Sequence, residues 1–176
     1  GPRVGKELQT IRKHLPKLDT RVAAIFRQDS PIIPDASTVI EAGDEVFFIA
    51  ATEHIRGVMR ELRRMDKPVK RVMIGGGGNI GRRLAKAIED RYDVKIIEYS
   101  RAGAEKLAAE LRSTLVLAGD VTDEDLLQAE NMGDMDVYCA LTNDDENNIM
   151  SSLLAKRMGV RRVVALINRG SYVNLV

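Results

Sequence analysis

Gly76, Gly78 and Gly81 stand at the spacing G-x-G-x-x-G within VMIGGGGNIGRR, a stretch that leaves a short apolar run and enters an amphipathic pattern. The chemistry open to that spacing is the grip of a pyrophosphate. The first glycine allows a tight turn, the second lets backbone approach the phosphates, and the third lets a helix pack closely on its strand. The helix start then presents unpaired N–H groups and a partial positive charge to the anion. Glu98 ends the run VKIIE, 22 residues after Gly76, where a dinucleotide fold puts the carboxylate that accepts from ribose hydroxyls. A negative charge there repels a 2′-phosphate, so the pattern favours NAD(H) or another unphosphorylated adenosine over NADP(H). Arg101 leaves two readings open: a partner for such a phosphate, or a solvated residue opening the next helix. A P-loop does not fit, because Arg82-Arg83 stands where Lys-Ser/Thr is required.

Two polar loops extend the candidate site. In Gly119-Asp120-Val121-Thr122, Asp120 either borders an adenine ring or serves only as a turn residue. In Thr142-Asn143-Asp144-Asp145-Glu146-Asn147, the side chains either meet the distal half of a dinucleotide or cap a helix. Parts for catalysis are missing. None of Tyr92, Tyr99, Tyr138 and Tyr172 has a lysine four residues on, and His14 and His54 lie far from the glycine turn. Cys139 sits in the apolar run VYCAL, the setting of a buried, inert thiol. With one cysteine and two histidines, a zinc site is not expected. The site reads as built to bind rather than to react.

The elements that must position these residues begin at the polar break Asp66-Lys67-Pro68. Strand and helix patterns alternate from there, which implies a doubly wound parallel α/β sheet. Strands are expected at 71–75, 94–98, 114–118, 136–141 and 162–167, in the order 3-2-1-4-5. That order places the first and fourth on either side of the switch-point crevice. Helices are expected from Asn79 to Arg91 and around Leu107 to Leu111. Further helices are expected from Thr122, capped by Thr122-x-x-Asp125, and from about Asn143, capped by Asn143-x-x-Glu146 and stopped by Gly159. A last helix start at Ser171 suggests a sheet cut short at its C-terminal end.

Residues 1–67 read as a small α+β unit. Leu8, Ile11 and Leu15 fall at helical spacing before Pro16, RVAAIFR is a strand, and Pro31 and Pro34 bracket an irregular stretch. Short strands at Thr38 to Ile40 and Val46 to Ala51 follow, joined by the turn Glu41 to Asp44. A helix from about Glu53 carries the stripe Ile55, Met59, Leu62 and Met65. A unit of this size is near the limit for independent stability and is expected to lean on a partner.

Composition bounds the rest. The chain of 176 residues is 44% apolar and 30% charged, and 27 basic residues against 26 acidic ones leave a net charge of +1. No basic surplus points to nucleic acid, no run approaches the length of a membrane span, and no signal-peptide pattern opens the sequence. A cytoplasmic protein without disulfides is expected.

The segments RVAAIFRQDSPIIPDASTVIEAGDEVFFIAA, RVMIGGGGNIGRRLAK, VKIIE, AGDVTDEDLL, ALTNDDENNIMSSLLAKRMG and INRGSYVNLV together resemble the RCK/KTN family of regulators of potassium channels and transporters. The resemblance covers most of the chain in order. It implies an RCK-C lobe over residues 1–67 and a Rossmann RCK-N domain, truncated at its C-terminus, over 68–176. It also implies phosphate contacts at Gly76, Gly77, Gly78, Asn79 and Ile80, ribose contact at Glu98, adenine contact at Asp120 and Val121, and further contact at Thr142, Asn143 and Asp144. The implied ligand is NAD(H) or ATP/ADP. The implied partners are a membrane-embedded Trk-type potassium transporter subunit at the inner face of the cell membrane and further copies of the chain, as a dimer or tetrameric ring. After Glu98, Tyr99-Ser100 departs from the Arg-Asp-like pair expected there, and leaves the choice between NAD(H) and ATP/ADP open. Outside the resemblance, the glycine turn also fits a fragment of an NAD-dependent dehydrogenase, and less well an S-adenosylmethionine methyltransferase.

Overall fold

In the strand Arg71–Gly75 (β4) every residue after Arg71 is buried, as a parallel strand covered on both faces requires. A computed structural model describes residues 20–27, 30–32, 45–50, 55–63 and 68–166. β4 is followed by the helix Asn79–Ile88 (α2), then by Asp93–Glu98 (β5), Arg101–Glu110 (α3), Leu115–Ala118 (β6) and the short helix Glu124–Ala129 (α4). A 3-10 turn at Met132–Asp134 precedes Val137–Ala140 (β7), Asp145–Arg157 (α5) and Arg162–Leu166 (β8). Earlier in the chain lie Thr20–Arg27 (β1), Ser30–Ile32 (β2), Glu45–Ala50 (β3) and Ile55–Arg63 (α1).

The sheet order is β2-β1-β3-β8-β7-β4-β5-β6. Its β6-β5-β4-β7-β8 part is parallel and reproduces the 3-2-1-4-5 order expected from the sequence. Alternate residues of these strands feed two cores. Met73, Ile97, Tyr138 and Val163 meet Leu127, Met132, Leu154 and Ala155 on one face. Val72, Ile74, Ile96, Cys139 and Val164 meet Leu84, Ile88 and Leu107 on the other. Both faces are therefore closed by helices, the doubly wound arrangement.

The leading unit continues this sheet. β3 pairs in parallel with β8, with Phe48, Ile49 and Ala50 opposite Val164, Ala165 and Leu166. Val58 and Leu62 of α1 join the core that holds Leu84 and Ile88. The leading unit thus draws support from the sheet that follows in the same chain.

Local departures from the sequence reading have identifiable causes. Pro31 lies within β2, which among the described residues pairs only with β1, so the missing N–H costs no inner ladder bond there. α4 and α5 start one to two residues later than expected: their caps are Asp123 and Asp144, not Thr122 and Asn143. The Thr122 hydroxyl is instead used by Asp120, whose Oδ1 also accepts Thr122 N–H. α2 stops at Ile88, short of Arg91, where Glu89 takes over as C-cap. In α1 the buried positions are Val58 and Leu62, with Ile55 and Met59 only partly covered. The expected helix over Leu8 to Leu15, the strand over Thr38 to Ile40, the turn Glu41 to Asp44, Met65 and the start at Ser171 lie outside the described residues.

Candidate functional site

The site grows from the end of β4. Gly76 takes φ +105°, a left-handed conformation that side chains disfavour, and a Cβ there would meet Thr142 N at 2.7 Å and Thr142 Cα at 2.8 Å. A Cβ at Gly81 would strike the Gly76 carbonyl oxygen. The fold itself demands both glycines. Gly78 is different. Its φ of −70° and ψ of −167° are ordinary extended values, and a Cβ built on it meets no atom within 4 Å. Glycine at 78 keeps open a space that the protein does not fill.

Gly78 is also the N-cap of α2, and it supplies no side-chain hydrogen bond to the helix start. The other crevice helices are closed by their own residues. Ser100 Oγ accepts from Gly103 N at 3.1 Å, Asp123 Oδ1 from Asp125 N at 3.0 Å, and Asp144 Oδ1 from Asn147 N at 2.9 Å. α2 carries no acid in its first turn either. Its first amides thus remain available to an anion. Arg82 is turned elsewhere, to Glu110 at 2.8 Å and to Asn79 Oδ1 at 3.2 Å.

Glu98 ends β5 beside the turn. Its Oε2 accepts from Gly77 N at 2.6 Å and its Oε1 from Ser100 N at 3.1 Å. Each oxygen keeps a second lone pair for an incoming hydroxyl. After β7, Thr142 is fixed from behind by Asn148. Thr142 N donates to Asn148 Oδ1 at 3.0 Å, Thr142 Oγ1 lies 2.6 Å from the same oxygen, and Asn148 Nδ2 donates to Thr142 O at 3.0 Å and Leu166 O at 2.8 Å. Beneath the turn, the buried Tyr138 hydroxyl donates to Ser151 Oγ at 2.8 Å. Burial pushes the neighbouring Cys139 thiol up to about 12, which keeps it protonated near neutral pH.

These strand ends and loops surround a cavity of about 740 Å³, within the usual range for cofactor sites. Gly76, Gly78, Asn79, Ile80, Glu98, Asp120, Val121, Thr142, Asn143 and Asp144 all line it. Two candidates do not. Gly77 contributes its amide to Glu98 rather than a wall, and Arg101 opens α3 as an exposed residue away from the lining. Ile97, Leu141 and Leu166 line the cavity without having been singled out in the sequence, and Tyr99, Gly119 and Asn147 line it beside the candidates they neighbour. Most of these sit at the C-terminal ends of parallel strands or just beyond, which is the signal that could have found them. Asn148 lies one layer behind and has no such signal. Among the described residues no cluster of His, Cys, Asp and Glu is arranged to hold a metal ion.

A doubly wound parallel sheet with a glycine turn, an open helix start and a carboxylate around its switch point defines a Rossmann-type domain, the class that takes nucleotides in this crevice. The chain belongs to the TrkA family: the TrkA-N domain matches residues 72–176, and the TrkA-C domain matches residues 1–63. The Trk system potassium uptake protein TrkA of Vibrio alginolyticus is 58% identical over all 176 residues, and that of Halomonas elongata is 56% identical over the same span. The chain covers 38% of the length of each. A dehydrogenase-like protein of Thermotoga maritima shares the fold at 14% identity with a TM-score of 0.50, over 85% of this chain and 49% of its own.

Proposed function

We propose that this chain is the nucleotide-sensing part of a regulatory subunit that gates a Trk-type potassium transporter, and that its crevice binds NAD(H), with ATP or ADP as competing occupants. The observation that carries this reading is Gly78, a glycine that the protein's own packing does not require, set at an uncapped helix start. A pyrophosphate oxygen needs that space and those amides. The crevice extends from Glu98 and Asp120 to Asn143 and Asp144, so it has room for both halves of a dinucleotide. Among the described residues no arginine or lysine lines it, and Glu98 stands where a 2′-phosphate would fall, which disfavours NADP(H).

Occupancy of the crevice acts on the transporter only through a difference in affinity between two arrangements of paired copies. The chain is accordingly assigned to a homo-oligomer held at the cytoplasmic face of the membrane beside its transporter. No described helix is long and apolar enough to cross a bilayer.

The test is Gly78→Ala. The variant should melt within a few degrees of wild type, since alanine suits these backbone angles and lowers the entropy of the unfolded chain but is a poorer N-cap than glycine. Its affinity for NADH by calorimetry should fall about ten-fold or more, the scale of one displaced charge-assisted hydrogen bond. Equal affinity in the two proteins sinks the proposal.

A further inference from the structure

We infer that Tyr99 determines which ligands the crevice accepts, by forming an aromatic wall against which a nucleobase stacks; the inference rests on the nucleotide reading above. Tyr99 is 80% exposed, and it is the single aromatic among the described residues that line the cavity. Its backbone is held on both sides. Glu98 O accepts from Gly119 N at 2.9 Å, Glu98 Oε1 accepts from Ser100 N at 3.1 Å, and Ser100 caps α3 through Gly103 N. The ring itself is bonded to nothing: among the described residues the Tyr99 hydroxyl has no hydrogen-bond partner. A large amphipathic side chain is thus fixed at its root and left open at the mouth of the site. Nothing in the packing of the fold calls for an aromatic residue there.

Its position suits a base. A ribose held by Glu98 carries its base on the carbon next to the 2′-hydroxyl, so the base projects past the carboxylate toward the following residue. Asp120 and Val121 line the same cavity from the turn after the neighbouring strand β6, and Val121 is buried within the apolar core. The base therefore lies between an aromatic face and a turn anchored in the core. Among the described residues no cation lines the cavity, so recognition at this end rests on stacking rather than on charge. Stacking of a base on an aromatic side chain contributes on the order of ten-fold or more in affinity. The ligands so selected are base-bearing nucleotides such as NADH and ADP-ribose, whereas inorganic pyrophosphate engages the glycine turn alone.

The experiment measures ADP-ribose, NADH and inorganic pyrophosphate by calorimetry on wild type, Tyr99→Ala and Tyr99→Phe. Tyr99→Ala should lose about ten-fold in affinity for ADP-ribose and NADH and keep its affinity for pyrophosphate. Tyr99→Phe should match wild type for all three, and raised salt should leave the Ala-to-wild-type ratio unchanged. Wild-type affinity of Tyr99→Ala for ADP-ribose overturns the wall while leaving the nucleotide reading intact. Equal losses for pyrophosphate place the effect in the glycine turn and overturn it too, as does a Phe variant as weak as Ala. A wild-type protein that binds neither ADP-ribose nor NADH removes the nucleotide reading, and the wall with it.

Discussion

Glu98 Oε2 accepts a hydrogen bond from Gly77 N–H at 2.6 Å, so the carboxylate that ends β5 fastens the turn that ends β4. Glu98 therefore has a structural task before any ligand arrives, and the two tasks can be separated. Glu98→Gln keeps an amide oxygen within reach of Gly77 but loses the charge and one acceptor. It should melt within a few degrees of wild type and bind NADH about ten-fold more weakly. Glu98→Ala loses the fastening as well, and should be less stable than the glutamine variant by about 1 kcal/mol. Thermal melts and calorimetry on the two variants check this. Indistinguishable melts remove the structural task.

The glycines of the turn should divide in the same manner. Gly76→Ala meets both a left-handed backbone and the Thr142 main chain, and Gly81→Ala meets the Gly76 carbonyl. Neither neighbour is a flexible side-chain tip that could swing aside. Each variant should be destabilised by about 2 kcal/mol or more, seen as a lower urea midpoint without ligand. Gly78→Ala should show no such loss. A stability loss shared equally by all three would mean that the turn, not the ligand, requires Gly78.

The parts of this fold legible in the sequence were those with a local cause. β4 was expected over the residues it occupies, because RVMIG runs straight into a glycine turn. Glu98 was found by its distance from that turn, and the strand order followed from regular alternation. What escaped depends on contacts between distant residues. The β3–β8 pairing joins segments more than a hundred residues apart and leaves no mark in either. Asn148 looks like an unremarkable helix position until the fold brings Thr142 and Leu166 to its amide. Arg101 carries two readings from its spacing after Glu98, and it opens α3 without being among the residues that line the cavity. The helix caps were displaced for a finer reason. Neighbouring residues could each cap, and Thr122 was already committed to Asp120.

Asn148 should be among the most sensitive positions outside the cavity wall. It is fully buried, and its amide satisfies Thr142 N, Thr142 O and Leu166 O together. Asn148→Leu keeps the branching at Cγ but adds volume and leaves those groups unpaired in an apolar setting. A loss of about 3 kcal/mol is expected, read from urea denaturation. Amide exchange should also accelerate at Thr142 before it does at Ile74, since the loop loses its anchor while β4 keeps its ladder. Uniform acceleration across the sheet would show instead that Asn148 serves global packing alone.

Stability in acid should depend on Glu89, which is 6% exposed and C-caps α2. Burial by itself raises the pKa of a carboxyl group. Here that effect is outweighed by hydrogen bonds from Ser113 N, Arg112 N, the Thr114 hydroxyl and Thr114 N, which hold the group below its ordinary 4.5. A carboxylate favoured in the native state stabilises the protein fully above its unfolded value. That contribution disappears as the pH falls through the lowered native value. Glu89→Gln should therefore be less stable than wild type at neutral pH, and the gap should narrow once the pH drops below about 4.5. Asp136 is also held below its ordinary 3.8; burial alone would raise it, but bonds from Arg71 N, Lys70 N and Arg161 prevail. The variant should thus keep part of its acid sensitivity. Melting temperatures of both proteins, taken from roughly pH 3 to pH 7, decide the matter: converging curves support the role of Glu89, and parallel curves assign its effect to packing.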